Sequence, residues 1–278
     1  MRPALTLLTV IAFTAAPAAA ETLVLPVFAH NAKGVDGGSW SSEIYLTNPG
    51  DQPVQVTLSS FLPGTSSKPT PCDLFMAPTR VVPPRSAVVW TSSGLATDLG
   101  CARTALGALL LSADGPIRIT SRTVNQPGGR EEPAHGLLTG SGQAFEAQPV
   151  SRLRAGAYLL PALFWQRNAC GKPAFATSIG FANPGSEPVT VTLDLEDDGG
   201  TGWILVEDEE VAIPHSLTVD AHSWRQLRLR PVDSPDGGCL DPEPFILKVL
   251  VDGPLAIYAS VVDRSTGDAR TVRPVPLD

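Results

Sequence analysis

The chain has 278 residues, among them 27 prolines and 25 glycines, and a formal net charge of −8 at pH 7. That acidic balance argues against nucleic acid or an anionic membrane as a partner, since both select cationic surfaces. So much Pro and Gly argues against a helical bundle and for short strands joined by turns.

The opening MRPALTLLTVIAFTAAPAAAE carries Arg2, an apolar run from Ala4 to Ala16, and the small residues Ala18-Ala19-Ala20. This is the pattern of a secretory signal peptide over residues 1–20, cleaved before Glu21. The apolar run is shorter than the roughly 20 residues a spanning helix needs, so no transmembrane anchor is expected. The mature chain is expected to be exported, to a periplasm or to the exterior.

From Glu21 onward the chain reads as two copies of one unit about 135 residues apart. LVLPVF followed by WSSEIYLTNPGDQPVQVTL matches YLLPAL followed by FATSIGFANPGSEPVTVTL, so that Ile44 meets Ile179 and Asn48-Pro49-Gly50 meets Asn183-Pro184-Gly185. A second pair, GALLLSADGPIRITSR and FILKVLVDGPLAIYAS, keeps the order. The expected organisation is one domain over residues 21–150 and its internal repeat over 156–278, each a normal size for a domain with its own core. The linker from Pro149 to Gly156 is short, so the domains are expected to pack end to end or at a fixed angle.

Within each copy the period is two. Val54, Val56 and Leu58 alternate with Gln55, Thr57 and Ser59, and Val189, Val191, Leu193 and Leu195 alternate with Thr190, Thr192, Asp194 and Glu196, as half-buried strands do. Asn48-Pro49-Gly50-Asp51 and Asn183-Pro184-Gly185-Ser186 suit a type II turn with positive φ at glycine, which predicts a hairpin between the flanking strands. Asp114-Gly115-Pro116 and Asp252-Gly253-Pro254 predict a second hairpin in each copy. With further strands at Leu23–Phe28 and Ala87–Thr91, the count is about seven to eight per copy. No segment holds a helical period over three turns. The fold class is therefore all-β: two tandem immunoglobulin-like or fibronectin-like antiparallel β-sandwiches.

Export makes disulfides the default state of the four cysteines. Cys101 and Cys239 are equivalent, each thirteen residues before an Asp-Gly-Pro turn, whereas Cys72 and Cys170 have no counterpart. The repeat thus selects Cys72 with Cys101 and Cys170 with Cys239. Each bridge is expected to stabilise its domain by roughly 3.5 to 4.5 kcal/mol, less any strain.

The order L-x-P, an aromatic followed by alternation into Asn-Pro, Pro-Val-x-Val-Thr-Leu, then Asp-Gly-Pro before a strand, resembles the repeated Ig-like domains of uncharacterised secreted bacterial proteins. The resemblance covers nearly the whole mature chain. It implies export and a sandwich fold, and it brings no catalytic residue to carry over.

No motif for an enzyme stands out: there is no G-x-S-x-G elbow, H-E-x-x-H or P-loop. His30, His135, His215 and His222 are scattered over strand ends and loops. No metal site is expected at the cysteines, which lack C-x-x-C spacing. Calcium is the one cofactor weighed, at Glu196-Asp197-Asp198 or Glu207-Asp208-Glu209-Glu210; neither follows the spaced acidic loop, and no cofactor is required.

Candidate binding residues lie elsewhere. The copies differ most between Asn125 and Ser141, where the first carries about a dozen extra residues including Arg130 and His135; loops on rigid sandwiches are where binding evolves. Arg118 and Arg122 share one face of a strand, suited to a carboxylate or sulfate. Trp40 and Trp90 align with Phe175 and Leu227 and read as core, whereas Trp165, Trp203 and Trp224 lack an aromatic counterpart and are freer to be exposed. Trp203, expected in a loop after Gly199-Gly200-Thr201-Gly202, is the candidate for stacking on a sugar ring. The expected function is a non-catalytic interaction or structural module of the cell envelope or exterior, with an envelope or extracellular protein as partner. The alternatives are a carbohydrate-binding accessory protein with a glycan as partner, or an exported enzyme with a dispersed site.

Overall fold

The computed structural model describes residues 20–33, 38–64, 77–101, 104–126, 142–165, 175–195, 203–206, 209–231, 243–263 and 268–277. The first half contributes β1 (Glu21–His30), β2 (Ala32–Lys33), β3 (Ser39–Asn48), β4 (Val54–Pro63), β5 (Thr79–Val82), β6 (Ser86–Thr91), helix α1 (Ser92–Asp98), β7 (Ala105–Ala113), β8 (Arg118–Gln126), β9 (Gly142–Glu146) and β10 (Gln148–Pro149). After a 3-10 turn at Val150–Arg152 come β11 (Gly156–Trp165), β12 (Phe175–Asn183), β13 (Val189–Leu195), β14 (Trp203–Val206), β15 (Glu209–Ala212) and β16 (His215–Val219). The chain closes with β17 (Ser223–Pro231), β18 (Glu243–Val251), β19 (Ala256–Asp263), β20 (Ala269–Val272) and β21 (Val275–Leu277). Counted with the two-residue strands, this is more than the seven to eight expected per half.

The strands form four antiparallel sheets. Sheet I runs β10-β1-β7-β4-β5, and sheet II runs β2-β3-β8-β9 with β6 also on β3. Sheet III runs β15-β14-β17-β12-β19-β20, and sheet IV runs β16-β13-β18-β11-β21. Sheets I and II make one sandwich and sheets III and IV the other, each closed by apolar side chains from both members.

Both expected hairpins are instead arches between sheets. The Asn-Pro-Gly turn joins β3 in sheet II to β4 in sheet I, and its counterpart joins β12 in sheet III to β13 in sheet IV. Asp-Gly-Pro likewise carries β7 of sheet I into β8 of sheet II, and β18 of sheet IV into β19 of sheet III. Side chains take over the hydrogen bonding that a ladder would have supplied. Asn48 Nδ2 donates to the carbonyls of Gln52, Val82 and Pro83 at 2.7, 3.1 and 3.1 Å, while its Oδ1 accepts from Gly50 N at 2.8 Å. Asn183 repeats the set with Glu187, Val219, Asp220 and Gly185 at 2.8, 3.1, 3.0 and 2.9 Å. At the other arch, Asp114 Oδ1 accepts from Gln55 N and Asp252 Oδ1 from Thr190 N, both at 2.7 Å.

Positive φ, expected at Gly50 and Gly185, falls instead on Arg85 (51°) and His222 (50°). Their N–H groups donate to the carbonyls of Gly50 and Gly185 at 3.0 and 3.1 Å, which ties the left-handed residues to the turn. β1 and β11 share a register shift, between Leu25 and Phe28 and between Leu160 and Leu163. The short helix α1 starts where the Thr91 hydroxyl caps Gly94 N at 3.3 Å, and it buries Leu95 and Ala96 against the first core.

The two sandwiches meet face to face rather than end to end. Trp224, Ala182, Ala256 and Tyr258, on the face of sheet III turned away from sheet IV, belong to the same buried cluster as Val24, Leu25 and Leu110 of sheet I. The layers therefore run II, I, III, IV. The burial patterns carry the same record: β1, β7 and β19 are buried over nearly continuous runs, whereas β8 alternates, being covered on one face.

Candidate functional site

Four regions come out of this stacking: the seam between sheets I and III, a cleft at its flank, and the two outer faces. At the seam Trp224 is 3% exposed. Its indole Nε1 donates 2.8 Å to the carbonyl of Pro26, a residue without an N–H of its own at the β1 bulge. Gly64, just beyond β4, makes an isolated bridge with Trp224, and a Cβ built on it would fall 3.2 Å from the indole Cε3. Trp224 is thus buried rather than available to a ligand. The Pro26 carbonyl and the small Gly64 are two of its contacts in the first sandwich.

Tyr258 stands beside it, packed edge-on against Phe145 of β9 with centroids 5.2 Å apart at 79°. Its hydroxyl is buried without a hydrogen-bond partner. Burial pushes the phenol far above its ordinary value, so it stays neutral throughout the physiological range.

The cleft, about 530 Å3, opens where β9, β10 and β20, edge strands of sheets II, I and III, come together. Arg118, Glu146, Arg152, Thr271 and Arg273 line it. Glu146 spans the two sandwiches, pairing with Arg118 Nε at 3.1 Å and Arg273 Nη2 at 2.8 Å. Both arginines are mostly exposed, so these pairs add little to stability.

Arg118 and Arg122 do lie on the outer side of β8, while Ile119 and Ser121 face inward and are buried. Each arginine has an acidic neighbour: Arg118 takes Glu146, and Arg122 Nη1 lies 3.9 Å from Glu43 Oε2. Tyr45 donates 2.7 Å to the same Glu43 oxygen. Burial, reinforced by Glu43, holds the Tyr45 phenol above its ordinary value. The outer face of sheet II is therefore largely polar and internally paired, with Val89 its exposed apolar side chain.

Trp203 is the first residue of β14, opposite Ala212, not a loop residue. Trp165 ends β11 opposite Glu243. Trp90 is buried, with Nε1 donating 3.2 Å to Asp98 and the Arg80 guanidinium 4.8 Å over its ring; Trp40 is half-buried. His30 Nδ1 lies 3.2 Å from the buried Ser92 hydroxyl, His215 opens β16, and His222 occupies the turn between β16 and β17, so the three are set on different elements. Arg130, His135, Cys72, Cys170, Cys239 and the acidic run 196–198 lie outside the described residues. Cys101 is half-buried against the first core beyond α1. Among the described residues no group of three or more His, Cys, Asp or Glu is placed to hold a metal ion.

The seam was legible in one respect that the sequence reading did not use. LVLPVFA, ALGALLLSA and AIYASVV are apolar on both strand faces, as strands covered on both sides must be. Together these features define an all-β protein of two antiparallel sandwiches stacked as four layers. No family model and no curated protein matches the chain.

Proposed function

We propose that this protein is an exported, non-catalytic interaction or structural module of the cell envelope or exterior. The observation that carries the reading is the buried seam: Trp224 and Tyr258 join two sandwiches face to face, giving a platform on which outer sheet faces and end loops hold fixed relative positions. Binding that depends on loops and faces from two domains at once needs such a platform. The recurrence of the Asn48 and Asn183 networks and of the Asp114 and Asp252 contacts supports an origin by tandem duplication. The equivalence of Cys101 and Cys239 in the repeat supports the proposed pairs Cys72 with Cys101 and Cys170 with Cys239, and with them an oxidising compartment. Non-reducing peptide mapping tests the pairing, and a Cys101–Cys239 peptide would break it.

The functional test is a crosslinking capture with the chain from Glu21 onward against native envelope and culture fluid, compared with a form lacking residues 126–140. Enrichment of one protein that is lost with the deletion supports the module and locates its surface. Retention on insoluble glycan, abolished by Trp203→Ala, would replace this reading with the carbohydrate one.

A further inference from the structure

We propose that the outer face of sheet IV is a self-association surface, and that its occupant is the same face of a second copy of this chain. The inference starts from a correspondence between the two sandwiches. In sheet I, Val24 of β1 sits in register between Gln148 of β10 and Leu110 of β7. In sheet IV, Leu159 of β11 sits in the same way between Val275 of β21 and Lys248 of β18. The faces are equivalent, yet their fates differ. Val24 and Leu110 are 0% and 8% exposed within the cluster that sheet III joins. The sheet IV face is open: Ile246, Leu250, Val275 and Leu277 are 40%, 38%, 50% and 39% exposed. These are four of the six large apolar side chains exposed among the described residues.

The next row is more apolar in sheet IV than in sheet I. Ala157 lies between Leu250 and Leu277, where the first half has Thr22 opposite Ser112. Clustered exposed apolar side chains of this kind mark interaction surfaces.

Charge and size select the occupant. The strips of β13 and β18 on this face carry Asp194 beside Lys248, registered partners of opposite sign. The patch is thus neutral within a chain of net charge −8, and a copy of it meets no repulsion there. Head-to-tail stacking would instead set the apolar face on the outer face of sheet II, the counterpart of the face that carries Trp224 and Tyr258. That face presents Tyr45, Thr47, Arg118, Thr120 and Arg122 around one exposed apolar side chain, Val89, and would leave those polar groups facing leucine and valine. Face-to-face association avoids this and closes as a two-fold dimer. Five strands about 4.8 Å apart and about six residues deep at about 3.3 Å each offer roughly 500 Å2 in plan, with the apolar part on β18, β11 and β21 and a polar margin of Thr190, Thr192, Ser216 and Thr218 on β13 and β16. This is below the roughly 800 Å2 per partner of a standard interface, so a weak, reversible dimer is expected.

This names one partner for the interaction module proposed above and rests on that reading. The test is sedimentation velocity of the chain from Glu21 onward across a concentration series, with Leu250→Glu, Val275→Glu and the opposite-end control Thr47→Glu. The expected result is a reversible dimer that both sheet IV substitutions weaken by at least about tenfold and the control leaves unchanged, with the β-rich circular dichroism of all three variants unaltered because each side chain lies on an outer sheet face. If either sheet IV variant unfolds, Leu277→Glu replaces it. A monomer at every concentration, or a dimer indifferent to these substitutions, overturns the proposal. A monomer that still captures an envelope partner would do so while leaving the module reading intact.

Discussion

Gly180 lies directly beneath the ring of Tyr258: a Cβ built on the glycine would fall 1.9 Å from the tyrosine Cζ. The two are register partners on β12 and β19. The equivalent pair in the first sandwich is Tyr45 opposite Thr120, so each half has one tyrosine across the same strand pair, on opposite strands. In the first half it faces outward beside Glu43. In the second, the glycine lets the ring lie flat in the seam, and Trp224 completes the apolar face.

Gly180→Ala is accordingly expected to cost about 1–3 kcal/mol through overpacking. The cost falls sharply in a Tyr258→Ala background, where the ring is gone. Urea unfolding of the two single variants and the double measures the coupling; additive effects would mean that the ring does not rest on the glycine.

The Tyr258 hydroxyl contributes burial without a partner, so Tyr258→Phe is expected to be neutral or stabilising by up to about 1 kcal/mol. It also carries a pH signature. Because burial raises the folded phenol above its unfolded value, the stability tied to it is fully present below about pH 10 and declines as pH rises beyond that. Urea midpoints on either side of that value should show Tyr258→Phe with the shallower alkaline decline.

Trp224→Ala removes both the seam ring and the donor to Pro26 O. A loss of about 3–5 kcal/mol is expected, and the single unfolding transition should separate into two as the sandwiches uncouple. Trp224→Phe keeps most of the area but orphans the Pro26 carbonyl, for a smaller loss of about 1–3 kcal/mol. Calorimetry distinguishes these outcomes from a simple drop in one cooperative transition.

On the acid side, Thr190, through its side chain and then its backbone N–H, holds the Asp252 carboxyl below its ordinary value. Its contribution is therefore present above the unfolded carboxylate range and is lost as pH falls through the lower folded value. Asp252→Asn should flatten that part of the acid limb. An Asp252 chemical shift that titrates at the ordinary position would contradict the arch geometry.

Much of this architecture was legible in the residues. Val54, Val56 and Leu58 alternate and are buried as the period predicts, and the recurrence of Asn-Pro-Gly and Asp-Gly-Pro located both turns of each half. Their type was not legible. A Pro-Gly turn reads alike whether its strands pair or part to opposite sheets, and what decides is that the Asn48 side chain replaces a ladder by holding three carbonyls. Trp224 lacked an aromatic counterpart because only the second half turns that face toward another sheet, so the difference marked an interface and not a ligand platform. Arg118 and Arg122 were placed on the right face, but their carboxylate neighbours Glu146 and Glu43 come from β9 and β3, distant in sequence and joined only by the sheet.

The most direct test of the stacked arrangement is small-angle X-ray scattering of the chain from Glu21 onward, at concentrations low enough to hold it monomeric. Four layers joined at the Trp224 seam predict a compact particle with a radius of gyration of roughly 18 Å and a single-peaked distance distribution. A radius about a third larger, with a shoulder at long distance, would mean two sandwiches set end to end and would contradict the seam.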